Sequence, residues 1–319
     1  MPYAPSPKYE ELPIIEATGD RHAWGVFGKH DQLGAINRLT PQRMARAASL
    51  VRNGKFFNLS LPLDQPNPPV DDSRKPYRHQ VFATNRNTRD DKIDDFYLQA
   101  SSQLDALRHM RFREFGFYNG LEDDDAEKGA LGIHHWADHG IVGRGVLLDV
   151  ARHLERQGDP LDLTQDTPLD EALLDQALRA QGVETEEGDI LLLRTGWMGH
   201  YKSLTPEERE RLPRHLGPGG LATPGLKATP AVAAFLWDRG FALVAADNPA
   251  VEDTPGSPDV GFLHRRLIPL LGLALGELWD LEALAEDCAD DGVYECMVVS
   301  VPLNLPGGVG SPANAIALK

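Results

Sequence analysis

Three segments of this 319-residue chain share one local grammar: Thr-Pro, a short amphipathic run, a glycine, and then a run of apolar, strand-forming residues. Thr40-Pro41 leads through Met44, Ala47, Ala48 and Val51 to Gly54 and then Phe56-Phe-Asn-Leu-Ser-Leu61. Thr167-Pro168 leads through Gly182 to Ile190-Leu-Leu-Leu193, and Thr229-Pro230 through Gly240 to Phe241-Ala-Leu-Val-Ala-Ala246. Threonine accepts a hydrogen bond from the free N–H groups that open a helix, proline's fixed φ suits the first helical position, and glycine suits the residue past the last turn. Each segment therefore reads as a helix feeding a strand. Further strands are expected at Val146–Asp149 and Tyr294–Val301, whose near-continuous apolar character suits a sheet covered on both faces. The pattern predicts a mixed α/β fold. Because the three helices differ in length and side chains, they express shared local physics and are not a sequence repeat.

Composition limits the functional classes. With 41% hydrophobic and 25% charged residues, the chain can bury a sizeable core, and a single domain over 1–319 is expected, with residues 1–20 as an extended N-terminal arm. The net charge of −16 argues against nucleic acid or an anionic membrane as partner. Much of that charge sits in Asp90, Asp91, Asp94 and Asp95 and in Glu122, Asp123, Asp124, Asp125 and Glu127, which read as solvated loops. Further loops are expected at about residues 62–80, 110–130 and 248–263, the places for site walls and lids. Cys288 and Cys296 have no metal-type spacing and are too few for a disulfide scaffold, which suits a reducing cytoplasm. No signal peptide or apolar membrane span is evident, so a cytoplasmic protein is expected.

The run Gln99-Ala-Ser-Ser-Gln103-Leu-Asp105-Ala-Leu-Arg-His109 concentrates the candidate chemistry. On an extended strand, Gln99, Ser101, Gln103 and Asp105 would share one face. A polar row of this kind costs free energy unless it is hydrogen-bonded, solvated or bound to an ion, so it should line a pocket. His109 would sit just past the strand. The plainer reading of Asp105 is an N-cap for residues 106–110. No Gly-x-Ser-x-Gly elbow is present, and Gly217-Pro-Gly-Gly220 lacks the phosphate-loop pattern.

This run resembles the signature His-x-Gly-Thr-His-x-Asp-x-x-x-His of the cyclase family of hydrolases, which includes kynurenine formamidases and isatin hydrolases. Supporting segments are Trp24-Gly25, Asp31–Asn37, Gly143–Asp149, Gly188–Trp197, Asp247-Asn-Pro-Ala-Val-Glu252, and the stretch from His264 to Glu277. The resemblance implies a swivelling β/β/α fold with a central barrel-like sheet surrounded by helices. It implies a metal site at Gln103, Asp105, His264 and Glu277, with His109 and Asp105 as catalytic residues. His109 would take a proton from water and return it to the leaving atom. Gln99, Trp24, His135 and Tyr118 are the candidate substrate contacts. The family also implies a homodimer or homotetramer, and the Pro-rich segment Pro2–Pro13, with Tyr3, Tyr9 and Leu12, would gain by lying on another surface, such as a neighbouring protomer.

Gln99 and Gln103 stand where the motif has metal-binding histidines. A glutamine amide is a weak ligand for zinc, whereas harder ions accept carbonyl and carboxylate oxygens. The expected cofactor is a divalent metal, manganese or zinc, and magnesium would also suit an oxygen-rich shell. The expected activity is hydrolysis of a C–N or lactone bond in a small amide, cyclic amide or lactone. A metal-free lyase or cyclase using His109 and Asp105, and a catalytically silent small-molecule-binding protein, stay open as alternatives.

Overall fold

The computed structural model of the chain describes residues 6–257 and 259–319. Its strands run in chain order β1 (Phe56–Asn58), β2 (Arg78–Ala83), β3 (Arg89–Asp94), β4 (Gln103–Asp105), β5 (Ile141–Asp149), β6 (Pro168–Leu169) and β7 (Ile190–Arg194). They continue as β8 (Gly225–Leu226), β9 (Leu243–Ala246), β10 (Ala274–Glu277), β11 (Glu295–Ser300), β12 (Gly310–Pro312) and β13 (Ala315–Leu318). Nine of them form one sheet in the order β1-β13-β11-β5-β7-β9-β10-β4-β12. The sheet curls strongly into a half-barrel flanked by helices, the architecture expected from the motif resemblance.

The centre of the sheet is parallel, β5 to β7 to β9 to β10, and its flanks are antiparallel. Leu147, Leu148, Leu191, Leu192, Val244 and Ala245 are fully buried there, because strands covered on both faces have no polar side to show. The helices Pro41–Ala48 and Pro230–Asp238 begin as the Thr-Pro grammar predicts: Thr40 accepts from the Arg43 N–H and Thr229 from the Val232 N–H. The middle segment differs. Pro168 and Leu169 pair with β8, and the helix Glu171–Gln181 starts one turn later, where the Asp170 carboxylate accepts from the Leu173 N–H at 3.0 Å. A carboxylate near the positive end of a helix is a strong cap, so Asp170 takes the role assigned to Thr167.

β2 and β3 form a separate hairpin inside what the sequence suggests is loop, and the Asp90–Asp95 cluster lies along or just beyond it. Its residues are exposed on both faces apart from half-buried Asp94, so no apolar alternation marks it as sheet. The second acidic cluster forms the short helix Asp123–Glu127, with Asp123 paired to Arg111.

The N-terminal arm rests on its own chain. The Trp237 indole donates to Pro7 O at 2.8 Å, the Tyr9 N–H donates to Asp238 Oδ1 at 2.7 Å, and Leu12 is buried. A short 3₁₀ turn, Tyr9–Glu11, seats these groups, so the described part of the arm does not need a neighbouring protomer. Tyr3 lies outside the described residues. No helix among the described residues is long and apolar enough to cross a membrane.

Close packing in the sheet is tightest at Gly145 on β5, where an added Cβ would lie 2.4 Å from Val298 Cγ2 and 3.0 Å from Cys296 Sγ. Gly145→Ala is expected to lower stability by about 1–3 kcal/mol through overpacking, read as an earlier urea midpoint with an unchanged slope.

Candidate active site

The site is assembled at the β10-β4-β12 side of the half-barrel. β4 is only three residues long and runs antiparallel to both neighbours, with Gln103 opposite Glu277 of β10 and Asp105 opposite Gly310 of β12. That register places the Gln103 amide against the Glu277 carboxylate, to which its Nε2 donates. The predicted polar strand is therefore shorter than Gln99–Asp105. Gln99 and Ser101 lie in the turn before it, where Ser101 Oγ donates to Pro62 O at 3.2 Å. Ser102 Oγ accepts from the Leu61 N–H at 2.8 Å and donates to Leu278 O, a support role rather than nucleophilic placement. Asp105 does not cap a helix, since the chain beyond it makes a turn closed by the His109 N–H on Ala106 O at 2.8 Å.

Gln99 nevertheless reaches the site. Its Nε2 lies 2.5 Å from Asp105 Oδ1 and 3.0 Å from His109 Nδ1. His109 Nε2 is 4.0 Å from Asp105 Oδ2. On the other side of Asp105 stands His264, carried by the helix Leu263–Leu267. Its Nε2 is 2.9 Å from Glu277 Oε1 and 3.5 Å from Asp105 Oδ2, and its Nδ1 is 2.8 Å from Glu252 Oε1. Glu252 also accepts the Leu263 N–H and, at 3.3 Å, the His264 N–H, so one carboxylate fixes both the start of the helix and the ring it carries.

Two residues beside these acids hold unusual backbone. Val251 and Leu278 both have φ near +57°, a left-handed conformation costing roughly 1–3 kcal/mol for such side chains. Neighbouring hydrogen bonds hold them: Leu226 N–H to Val251 O at 2.9 Å, and Leu278 N–H to Asn248 O at 3.1 Å. Their strain sets the chain direction at Glu252 and Glu277.

The electrostatics follow from placing several carboxylates in a dry space. Burial pushes the Asp105 carboxyl up, but the His264 ring beside it and the Gln99 amide help hold it below the ordinary carboxylate range. Burial disfavours the charged His264 ring, yet the hydrogen bonds to Glu252 and Glu277 and the nearby Asp105 carboxylate raise its pKa well above the ordinary value. Glu277 is raised by burial and by the charge of Asp105. One imidazole faces three carboxylates, so the cluster is short of positive charge.

The same residues pass a direct test for a metal ion. Ligand atoms of Asp105, His264 and Glu277 lie within 4.8 Å of one another. Gln103 Oε1 and Asp105 Oδ2 are buried acceptors without a hydrogen-bond partner, and a cation would satisfy such orphaned oxygens. With Nδ1 committed to Glu252, His264 would meet an ion through its Nε2, the nitrogen that otherwise bonds Glu277 Oε1 at 2.9 Å.

A cavity of about 320 Å³ opens over this cluster, lined by His109, Glu252, His264 and Glu277 and by Val70, Met110, Leu216, Phe262, Leu278, Arg74 and Arg265. None of the four expected substrate contacts is among its lining residues; Gln99 meets the cluster through Asp105 and His109, and the other three lie elsewhere. Trp24 donates its indole N–H to Pro269 O and stacks on His22, Tyr118 is fully buried against Gly272, and His135 stacks on His134 at 4.0 Å. Their aromatic character suits core packing as well as a pocket wall, and sequence could not separate the two. Phe82 lies on the exposed hairpin, and Trp197 packs beside Tyr201 in a second apolar cluster. Sequence reasoning gave no role to Arg74 or Phe262, and none individually to Glu252. Glu252 had one signal, its place in the Asp247–Glu252 segment, while nothing local marks the others.

Comparisons with known proteins bear on the family and the fold. The sequence model of the cyclase family matches residues 57–253, more than half of the chain. The crystal structure of a novel cyclase is 35% identical, with a TM-score of 0.80 over 93% of this chain and 99% of that chain. Isatin hydrolase A from Labrenzia aggregata, bound to benzyl benzoate, is 18% identical with a TM-score of 0.59 over 85% of this chain and 94% of that one. Isatin hydrolase A from Ralstonia solanacearum is 17% identical with a TM-score of 0.59, covering 88% and 99% respectively. At such identities the last two show a shared fold. No curated protein sequence matches.

Proposed function

Because this chain belongs to the cyclase family, we propose that it is a metal-assisted hydrolase that opens a small cyclic amide or lactone, or cleaves a similar C–N bond. The observation that carries this reading is the convergence of Gln99, Gln103, Asp105, His109, His264 and Glu277, dispersed over 179 positions of numbering from 99 to 277, into one cluster, of which His109, His264 and Glu277 line the cavity. The isatin hydrolases with the same fold are named for a hydrolytic activity, which supports the reaction type.

Asp105, Gln103, His264 and Glu277 would hold the ion. Their oxygen-rich set favours manganese or magnesium over zinc, because an amide oxygen is a poor partner for a softer ion and an adequate one for a harder ion. When bound, such an ion supplies Lewis-acid polarisation of a carbonyl and a more acidic water. The chain's own residues do the rest. Glu252 orients the His264 ring, and Gln103 restrains one Glu277 oxygen while the His264 ring restrains the other. Val70, Met110, Leu216 and Leu278 give the cavity apolar walls that exclude water from the reacting bond. His109 meets the reacting atoms from the side.

Asp105→Asn and His109→Ala are each expected to lower turnover at least about 100-fold in a screen of formamides, lactones and cyclic imides, with the circular dichroism spectrum unchanged. Activity within a few-fold of wild type would remove that residue from the mechanism. Absence of turnover in metal-loaded wild type would favour a silent binding protein, and full activity after removal of all metal, verified by elemental analysis, a metal-free enzyme. Changing both Gln99 and Gln103 to His is expected to raise zinc affinity in calorimetry, because two neutral imidazoles supply stronger ligands. No gain in a folded double variant would show that the two positions no longer converge on an ion.

We also propose that the chain associates into a symmetric dimer or larger closed assembly. The β2–β3 hairpin supports this: Val81, Phe82 and Ile93 are 64%, 44% and 41% exposed, and a lone two-stranded ribbon is marginally stable in water. Sedimentation at micromolar concentration is expected to give a dimer or tetramer for wild type. Val81→Glu combined with Ile93→Lys should shift it toward monomer, and a wild-type monomer would defeat the proposal.

A further inference from the structure

The Gln99 amide nitrogen touches two groups at once, and the two contacts together fix more than either alone. Asp105 Oδ1, at 2.5 Å, can only accept from it as a carboxylate. Turning the amide over would press its carbonyl oxygen against that carboxylate, two acceptors in contact within a buried site. The choice between amide oxygen and nitrogen, which must be made from the hydrogen-bond network, is therefore settled by Asp105. The same NH₂ group then faces His109 Nδ1 at 3.0 Å. A protonated Nδ1 would set two donors against each other, so Nδ1 has to be the acceptor.

The structure assigns Gln99 as a positioning residue whose NH₂ group makes His109 Nδ1 the hydrogen-bond acceptor and so leaves the ring proton on Nε2. The consequence for His109 is a hydrogen-bond donor facing the site, with its only lone pair already engaged. This rests on the hydrolase reading only for its catalytic consequence: His109 would donate to the carbonyl oxygen of a bound substrate, and the proton stays on Nε2 throughout. It would not begin the cycle by taking a proton from water, the role that a free imidazole at this place would fill.

Independent contacts hold Gln99 in position for this. Its stem crosses β12 where residue 310 is glycine, and a Cβ there would lie 2.6 Å from Gln99 Cγ and 2.8 Å from its Cδ. Its backbone carbonyl accepts from Arg74 Nη1. The His109 Nε2 is 4.0 Å from Asp105 Oδ2, too long for a hydrogen bond, so its donor is not spent on that carboxylate. A motif histidine at position 99 could not do the same, because it would have no NH₂ group to divide between a carboxylate and a second ring.

The test is long-range ¹H–¹⁵N correlation NMR on the full chain labelled with ¹⁵N-histidine, purified with Mg²⁺ as the sole divalent ion, with His109 assigned by its loss in His109→Gln. At neutral pH, wild type is expected to show the pattern of an unprotonated Nδ1 and a protonated Nε2. Gln99→Met, which keeps the length of the side chain and removes the donor, should move the two His109 nitrogens toward the averaged values of exchanging tautomers while the other histidines stay in place. Gln99→Glu should invert the pattern, since a carboxylate would accept from Nδ1–H. A wild-type His109 that is an imidazolium or carries its proton on Nδ1 overturns the assignment, even if both variants misfold. An unchanged Nε2–H pattern in folded Gln99→Met overturns the role of Gln99. Because no substrate is present, a chain inert in every activity screen but showing the Nε2–H pattern would overturn the hydrolase reading and support this one.

Discussion

His264 is the interaction on which the site depends. It stands between Glu252, Glu277 and Asp105 with contacts of 2.8, 2.9 and 3.5 Å, all in space largely closed to water. Three carboxylates so close would repel one another strongly in a dry interior, and the ring is the positive partner that lets them share it. Remove that balance and Glu277 and Asp105 cannot both remain charged. The cluster is thus held together by its electrostatics as much as by its backbone, and the deficit of positive charge that remains is what makes it a candidate home for a divalent ion.

The fold supplies this arrangement by bringing three separate stretches to one side of a curled sheet. β4 contributes Gln103 and Asp105, β10 contributes Glu277 in register with Gln103, and the segment from Asp247 to His264 folds over them with Glu252. Val251 and Leu278, each in left-handed backbone next to an acid of the cluster, mark where the surrounding packing imposes an unfavourable local conformation. Strain of this kind persists because the buried parallel core, which includes β9 and β10, is too well packed to relax around it.

Two glutamine amides shape the site from within. Gln103 donates to one acid and leaves a buried carbonyl oxygen without a partner, while Gln99 ties Asp105 to His109. An amide has both a donor and an acceptor end, and this chain uses the donor ends to bind its own carboxylates.

The sequence by itself determined the fold class and the identity of the residues at the centre. Local physics was enough for the starts of the helices at Pro41 and Pro230, because a threonine cap and a first-turn proline act within a few residues, and continuous apolar runs were enough for the buried strands; the Pro41 helix ends at Ala48, short of the expected Gly54. It also pointed to Gln99, Gln103, Asp105, His109, His264 and Glu277, through their resemblance to a family motif, and the structure brings these side chains into one cluster. Tertiary structure alone decided how these groups meet. The exposed hairpin carries no periodic signal because neither face is buried, and Trp24, Tyr118 and His135 lie outside the cavity because an aromatic ring satisfies core and pocket alike. Glu252 and Arg74 become part of the site only when distant segments close over β4, since a hydrogen bond between residues far apart in the chain depends on strand register and on the curl of the sheet, and neither is written in any local stretch.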